Sequence, residues 1–337
     1  MEKRKQKRRS LRLTLLLLLL ATILLLTSSY AWFTANQTVT ISQLEVNVAA
    51  QNGLQISADG DKWSAKITKD DLEEAAAKEL YKANLTNQFP ANFAPVSTAG
   101  NVQGGKMDMF LGSVNANTSG KDVLTATVET EATGTTGNFI AFDMFLKVEQ
   151  TTRIELTANS NVKAMGDSKG IENAARVAFL VQGNLPAGTA LDTIQKQAGA
   201  TTDTRYIWEP NYDVHTAAAV THASSVYGIT TTQTGAARIA YDGIKAKIDS
   251  GILMAETNAT ENSTYFGTTP IEYSTKADFG TNSETSQKTQ EIFTLNPGIT
   301  KVRVYMWIEG QDVDCENTAS GSNIAFNIQI SRITTGA

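Results

Sequence analysis

The sequence has a single cysteine, Cys315, among 337 residues. No disulfide can form within the chain, so its stability has to come from buried surface or from contacts with other subunits. Two interpretations of the thiol remain open. It can pair between chains, or it can be a buried side chain that packs as a small hydrophobe, which is the commoner case.

Histidine is almost as scarce, because only His215 and His222 are present. Their surroundings, DVHTAAAVTHASS, match neither the HExxH pattern of a zinc protease nor a zinc pattern that contains cysteine. The sequence also has no glycine-rich phosphate loop. We therefore predict that both histidines are solvent-exposed loop residues and that the protein is not an enzyme.

The N-terminus has the three parts of a secretory signal peptide. Seven Lys or Arg residues come first, an apolar run covers residues 13–26, and small or polar residues follow. This run of about 14 residues is short for a membrane span, which needs about 20. Ser29 and Ala31 are small enough for a signal peptidase, which predicts cleavage between Ala31 and Trp32. An uncleaved membrane anchor is the alternative.

Charge excludes one class of partner. The chain has 29 basic and 34 acidic residues, and seven of the basic ones and one acidic one belong to the leader. Removing the leader leaves 22 basic against 33 acidic residues, a net charge of −11. A mature chain this acidic offers no basic patch for nucleic acid. We expect a secreted protein, extracellular or at the cell surface, that meets the membrane only before leader cleavage.

Apolar and polar residues alternate over 38–48, with a slip of one residue at Ser42-Gln43. Such alternation with β-branched residues predicts a strand, and the slip predicts a bulge or a break. Asp59-Gly60 predicts a hairpin turn. Further strands are predicted at 106–114, 121–130, 137–150, 152–157, 176–182, 291–295, 301–309 and 324–333. Short strands with such turns favour an all-β fold, an antiparallel jelly-roll-like β-sandwich.

One helix is predicted in the N-terminal half, over residues 68–85. Thr68 can cap it, acidic residues fill its first turn, and Leu72, Ala76 and Leu80 form an apolar stripe. Residues 185–287 are rich in Thr, Ala, Gly and Asn and have weak periodicity, apart from a possible short helix at 237–248. The predicted organisation is a signal peptide at 1–31, a donor strand and first core strand at 32–48, a sandwich at 49–184 and 288–337, and an insertion or small subdomain at 185–287.

One segment, GQDVDCEN, concentrates oxygen ligands. Asp312, Asp314 and Glu316 stand at alternate positions, which would place their carboxylates on one side of an extended loop. Calcium accepts such a set of ligands, although the spacing is not that of an EF-hand. The other interpretation is a solvated loop between two strands. Apart from calcium, no cofactor is expected.

Several stretches resemble one family of exported proteins. The leader, which ends in Ser-Ser-Tyr-Ala-Trp-Phe-Thr, resembles leaders processed by SipW-type signal peptidases. The alternating segment 39–48 resembles the start of TasA and camelysin-like proteins. The pattern RVYMWIEGQDVDCEN at 303–317, followed by a terminal strand, is similar to the end of many exported proteins of this group in Gram-positive bacteria.

The resemblance implies a jelly-roll sandwich and assembly into extracellular matrix fibres, in which each subunit donates its N-terminal strand to the next. Here that strand would contain Trp32, Phe33, Thr34 and Val39. The sequence departs from the family where Trp32-Phe33-Thr34 replaces an aromatic residue followed by a small or polar residue and Asp. The mature chain is also larger than a minimal TasA domain.

The expected function is that of a structural subunit of an extracellular filament or biofilm-matrix fibre. Its partners would be other copies of itself and a SipW-type signal peptidase. The alternative is a monomeric surface adhesin or glycan-binding protein, in which Tyr206, Trp208 and Tyr212 form a binding face. A camelysin-like protease is a third possibility, but a catalytic zinc needs three protein ligands and the sequence has no such motif.

Overall fold

The computed structural model describes residues 39–49, 53–78, 84, 87–98, 100–116, 122–132, 134–211, 214–221, 253–254, 274–275, 280–281, 288–310, 312, 314–315 and 321–333. The leader, residues 32–38 and the predicted helix at 237–248 lie outside these ranges. So does most of 222–287.

Strands make up most of the described chain. In chain order they are β1 (Val39–Val48), β2 (Gln55–Ser57), β3 (Lys66–Thr68), β4 (Asn92–Phe93), β5 (Val102–Gln103), β6 (Lys106–Met107), β7 (Met109–Ala116), β8 (Asp122–Glu129), β9 (Ile140–Val148), β10 (Thr152–Thr157), β11 (Asn161–Ala164), β12 (Ala175–Leu185), β13 (Arg205–Glu209), β14 (Leu253–Met254), β15 (Ser274–Thr275), β16 (Gly280–Thr281), β17 (Lys288–Leu295), β18 (Gly298–Ile308) and β19 (Ser322–Ile333). Two α-helices are α1 (Lys69–Ala77) and α2 (Leu191–Gln195), and two short 3-10 turns are Ile171–Ala174 and Thr202–Thr204. Residues 217–221 are also helical.

Two large sheets form a sandwich. Sheet I has the strand order β16-β17-β10-β19-β1-β3, with β11 also paired to β19 and β4 to β1. Sheet II has the order β15-β13-β12-β18-β9-β2. Most strand pairs are antiparallel, so the predicted all-β antiparallel sandwich is confirmed. The predicted strands are found with small shifts in their ends.

The first and last strands of the described chain pair in parallel. The register of β1 and β19 runs from Val39 opposite Ser322 to Val48 opposite Ile330, and it shifts between Ile41 and Gln43. This shift is the bulge that the slip at Ser42-Gln43 predicts. The alternation of β1 and β19 follows from this position, because their apolar residues face the core and their polar residues face outward.

The main core lies between the two sheets. On sheet II it uses alternate residues of the central strands, because successive side chains of a strand point to opposite faces. These inner residues include Ile140, Phe142 and Met144 from β9, Val302, Val304 and Met306 from β18, and Val177 and Phe179 from β12. Every residue of β18 is buried, so this strand must be covered on both faces.

A second core covers the outer face of sheet II. It joins Tyr305 and Trp307 of β18 to Val96, Met107 and Met109. The last three residues belong to residues 96–98 and 100–110, which we call the crossing segment. Val96 and Ser97 are tied to the sheet and to β7 by backbone hydrogen bonds to Ile308 and Phe110. The crossing segment therefore forms a third layer of the fold, the crossing layer.

The predicted helix begins where expected and is shorter at its end. Thr68 caps α1 in a capping box with Asp71, and the helix ends at Ala77. Leu72 and Ala75 are its buried residues. Residues 79–83 lie outside the described ranges.

The start of the predicted insertion belongs to the sandwich. β13, at Arg205–Glu209, pairs with β12 over four residues and extends sheet II. It was not predicted as a strand because RYIWE is short and a proline follows it. The sandwich therefore continues past residue 185.

Candidate functional site: the N-terminal strand and the open side of the sandwich

The N-terminal strand is fixed in its own subunit from Val39 onward. Val39 is completely buried and pairs with Ser322 of β19 on one side and Phe93 of β4 on the other. Of the residues predicted to donate a strand to another subunit, Val39 thus lies in its own sheet. Trp32, Phe33 and Thr34 lie outside the described residues, as do the cleavage residues Ala31 and Trp32.

Side chains secure β1 along its length. Thr40 donates a hydrogen bond from Oγ1 to Asn92 at 2.7 Å, and the Asn47 amide reaches Asn327 at 3.1 Å. Lys66 Nζ lies 2.7 Å from Glu45, and this ion pair lowers the pKa of the Glu45 carboxyl. Residues 32–38 are therefore attached to a strand held on both sides.

The sandwich is closed on one side. The chain crosses there from β2 at the edge of sheet II to β3 at the edge of sheet I, and Ile56 and Ser64 bridge the turn between them. Within that turn the Asp59 carboxylate accepts backbone hydrogen bonds from Asp61 and Lys62. The predicted turn at Asp59-Gly60 is confirmed.

At the opposite side, which we call the open side, only the two-residue strands β16 and β15 lie outside β17 of sheet I and β13 of sheet II in the described ranges. Phe293 of β17 and Tyr206 of β13 both pack against Phe179, with ring centroids 6.5 and 6.4 Å apart. Both side chains are only partly buried. Among the described residues, the open side therefore places partly buried aromatic surface between β17 and β13, the next-to-outermost strands of the two sheets.

The outer edge of β17 is paired over a short length. β16 pairs with Lys288 and Thr289, and no other strand in the described ranges pairs with that edge. On the inner side β10 pairs along the whole strand, with a register shift that leaves Ile292 as the extra residue. Residues 290–295 thus present backbone groups on the outer edge that a further strand could pair with.

Two of the three residues predicted to bind calcium contact basic side chains. Asp312 accepts from Arg176 at 2.6 Å, and Asp314 lies 2.7 Å from His215 Nδ1. Both carboxylates are almost completely buried, so the solvated-loop interpretation is wrong for them. Glu316 lies outside the described residues. Among the residues that are described, no group of three or more His, Cys, Asp or Glu is placed to hold a metal ion.

We call Arg176, Glu209, Asp312, Asp314 and His215 the Arg176 cluster. Arg176 Nη2 contacts Asp312 at 2.6 Å and Glu209 at 2.8 Å, and its Nη1 donates to the carbonyl oxygen of Ala175 at 3.0 Å. Asp314 accepts the backbone N–H of Thr216 at 2.9 Å. The cluster therefore connects β12, β13, the 215–216 loop and the 312–315 loop. No sequence motif marks the cluster, because its members come from separate stretches of the chain.

The prediction of an exposed His215 is wrong, since the side chain is 4% exposed. Burial by itself favours the neutral ring, but the hydrogen bond to Asp314 and the charges of Asp314, Asp312 and Glu209 outweigh it and raise the pKa of His215. Burial and the charge of Asp312 likewise raise the pKa of Asp314. Folding therefore strengthens proton binding at this pair. His222 lies outside the described residues.

This linkage predicts a pH dependence of stability. A histidine whose pKa is higher in the folded than in the unfolded protein stabilises the fold below its unfolded pKa, about 6.5. We expect the stabilisation to be complete below that pH and to be lost as pH rises through the folded pKa. Urea unfolding of the wild type and of His215→Gln between pH 5.5 and 9 measures it, and His215→Gln should flatten this decline.

His222→Gln is the matched control, because it removes the only other histidine of the chain. It should leave the pH dependence unchanged. An equal loss of stability with pH in the wild type and in His215→Gln would refute the assignment.

A second buried charge cluster lies on the outer face of sheet II. Arg303 contacts Asp143, its cross-strand partner, at 3.1 Å and Glu131 at 2.7 Å. Burial opposes ionisation of Glu131, but Arg303 outweighs it and lowers the pKa of that carboxyl. Tyr305 also donates to Glu131, and burial raises the pKa of its hydroxyl. The polar residues of the RVYMWIEG pattern are thus internal, which is typical of a structural role.

The aromatic residues predicted to form a glycan-binding face are not together at the surface. Trp208 is completely buried in the main core, and Tyr206 is partly buried beside Phe179. Tyr212 lies outside the described residues. Cys315 is also completely buried and, as the single cysteine of the chain, forms no disulfide within it, which agrees with the small-hydrophobe interpretation.

None of the helices in the described ranges has the length and apolarity that crossing a membrane requires. Comparison with protein-family models, with curated proteins and with solved structures finds no match to this chain.

Proposed function

We propose that the protein is a structural subunit of an extracellular filament, released by cleavage between Ala31 and Trp32 and joined head to tail through its N-terminus. One observation carries the proposal. The N-terminal strand is anchored in its own sheet from Val39, while residues 290–295 of β17 offer an outer edge that the described strands leave open. The donor segment is accordingly 32–38, shorter than the segment expected from sequence.

The chemistry of the two surfaces supports their pairing. A strand edge is satisfied when an extended segment adds to it, and main-chain hydrogen bonds supply the affinity. The donor segment WFTANQT begins with two aromatic residues, Trp32 and Phe33. The open side presents Phe293, Ile292 and Tyr206, all partly buried, so aromatic packing can accompany the backbone pairing. The resemblance to TasA-like proteins points the same way.

The geometry supports an open polymer. Donor and acceptor are different surfaces of one subunit, and repeated heterologous contacts generate a filament when the rotation between subunits does not close a ring. With no disulfide available, the strand exchange would itself hold the polymer together.

Removing residues 32–38, so that the mature protein begins at Val39, is expected to abolish filaments and leave folded monomers. The donor is then absent while the sandwich is intact. Negative-stain electron microscopy and size-exclusion chromatography of the secreted, processed protein measure the outcome. Ser substitutions at Trp32 and Phe33 keep the length and should weaken assembly.

Ile292→Lys tests the acceptor, because a lysine on an edge strand opposes pairing with another chain. This variant can donate but not accept, whereas the truncated protein can accept but not donate. An equimolar mixture of the two should give a heterodimer and no polymer. Met165→Lys is the control for an added charge, since Met165 is 47% exposed and lies away from β17.

Two outcomes would contradict the proposal. Filaments formed by the protein that lacks residues 32–38 would exclude the donor role of that segment. A concentration-independent monomer of the intact mature protein would exclude assembly altogether.

A further inference from the structure

Two clefts flank a single tryptophan, Trp63, at the closed side of the sandwich. The larger measures about 420 Å³ and is lined by Gln55, Ser64, Lys147 and Glu149 with Trp63. The smaller measures about 230 Å³ and lies between Trp63 and helix α1. Binding sites for small molecules measure about 300–1,000 Å³ and combine aromatic side chains with a few polar groups. The larger cleft falls within that range.

Trp63 differs from the other tryptophans in the described part of the chain. Trp208 and Trp307 are completely buried, whereas Trp63 is only partly buried. Lys147 Nζ lies over the ring, 5.3 Å from its centroid, so a cation–π contact places an ammonium donor on one face of the indole. The site thus has a flat aromatic wall with one end in solvent.

The polar groups of the larger cleft are available to a ligand. Among the described residues, neither the Gln55 amide nor the Glu149 carboxylate has a hydrogen bond or ion pair with a side chain, and both residues are exposed. With Lys147 they supply donors and acceptors around Trp63. Groups that make both kinds of hydrogen bond suit hydroxyls, which donate and accept.

The charges of the two clefts balance. Lys147 and Glu149 are the charged residues of the larger cleft. The smaller cleft is lined by three lysines, three acidic residues and no other charged residue, and its outermost pair is Lys62 with Glu74 at 3.4 Å. A polyanion or a polycation would meet repulsion from half of these groups. The site therefore favours a neutral ligand.

We propose that the Trp63 clefts bind a neutral glycan of β-linked, gluco-configured sugars. The ring hydroxyls of such a sugar are all equatorial, so its faces expose only C–H groups, and one face can take the place of the Lys147 ammonium on the flat indole ring. The equatorial hydroxyls then point outward toward Gln55, Lys147 and Glu149. Successive residues of the glycan occupy the clefts on either side of Trp63. This site uses other residues than the proposed donor segment and β17, and on the proposed function it gives the filament a means of attachment to polysaccharide.

Isothermal titration calorimetry of the mature protein with cellohexaose and with chitohexaose tests the proposal. Binding of at least one hexaose is expected, and the two arms distinguish a plain glucan from an N-acetylated one. Trp63→Ala should weaken binding about tenfold and Trp63→Phe by a smaller factor, because stacking area is lost in that order. Glu149→Gln should also weaken binding, since a charged acceptor is removed. Dextran sulfate, a polyanion, should not compete.

Melting temperatures and filament formation are followed in parallel. Both should stay close to wild type in Trp63→Phe and Glu149→Gln, so a loss of binding in these variants would be specific even if Trp63→Ala folds poorly. The proposal is overturned if neither hexaose binds, if the Trp63 and Glu149 variants bind as tightly as the wild type, or if dextran sulfate competes. None of these results alters the test of filament assembly, which uses other residues.

Discussion

Replacing Arg176 with alanine is expected to lower the free energy of unfolding by about 3–5 kcal/mol, because it leaves buried carboxylates without their cation. Arg176 is completely buried, and Glu209 and Asp312, which share its Nη2, are nearly so. Neither acid can regain water while the fold is intact. Urea unfolding at pH 7, followed by circular dichroism, measures the loss.

Replacing the three residues together provides the control. The triple variant Arg176→Met, Glu209→Met, Asp312→Leu removes the cation and both facing carboxylates, so no charge of this group stays buried alone. Apolar replacement of a whole buried ion-pair group is often neutral or stabilising. We therefore expect the triple variant to recover most of the stability that Arg176→Ala loses. A cost of less than about 1 kcal/mol for Arg176→Ala, the range of exposed ion pairs, would contradict this role.

Replacing Trp307 with alanine is expected to cost about 3–5 kcal/mol, the usual range for truncating a buried tryptophan. Trp307 lies in the second core between sheet II and the crossing layer, and its Nε1 donates to Glu309 at 3.1 Å. Trp307→Phe keeps much of the packing and loses that hydrogen bond, for which we expect about 1–3 kcal/mol. Trp63→Ala, the same change at a partly exposed site, should cost less than about 1.5 kcal/mol.

The residues that lose hydrogen-exchange protection show which part of the fold depends on Trp307. Hydrogen exchange in Trp307→Ala should become faster at Ser97 and Phe110, whose backbone groups bond to each other within the crossing layer. Amides of β1 and β19 should keep their protection, because their core lies on the other side of sheet II. A uniform loss of protection would mean that the layer does not unfold separately.

The strands could be predicted from sequence where burial repeats with a period of two. β19 alternates between buried and partly buried residues along most of its length, and the sequence carries the same alternation. The bulge at Ser42-Gln43 could be predicted because it shifts the alternation of apolar and polar residues by one position. The helix cap at Thr68 could be predicted because its partner Asp71 is only three residues away in the sequence. Each of these features depends on residues that are close together in the sequence, so the sequence alone predicts it.

The crossing layer and the buried charges could not be predicted in this way. The sequence predicts β18 as a strand, but its alternation of charged and apolar residues does not reveal that a third layer buries Arg303 and Trp307 as well. Arg176 and Asp312 are separated by 136 residues, so no spacing motif marks their contact. His215 is predicted to be exposed because the surrounding sequence matches no metal-site pattern, and only its tertiary contact with Asp314 shows otherwise. These features depend on tertiary structure.

The parallel pairing of β1 with β19 has a consequence for how the chain folds. Their side-chain contact between Asn47 and Asn327 joins residues 280 positions apart. Contacts of such long sequence separation form late, because the entropy of closing the loop has to be overcome first. During synthesis β1 cannot gain this partner until residues 322–330 have left the ribosome. Sheet I therefore cannot gain its β1–β19 pairing until synthesis of the described part of the chain is almost complete.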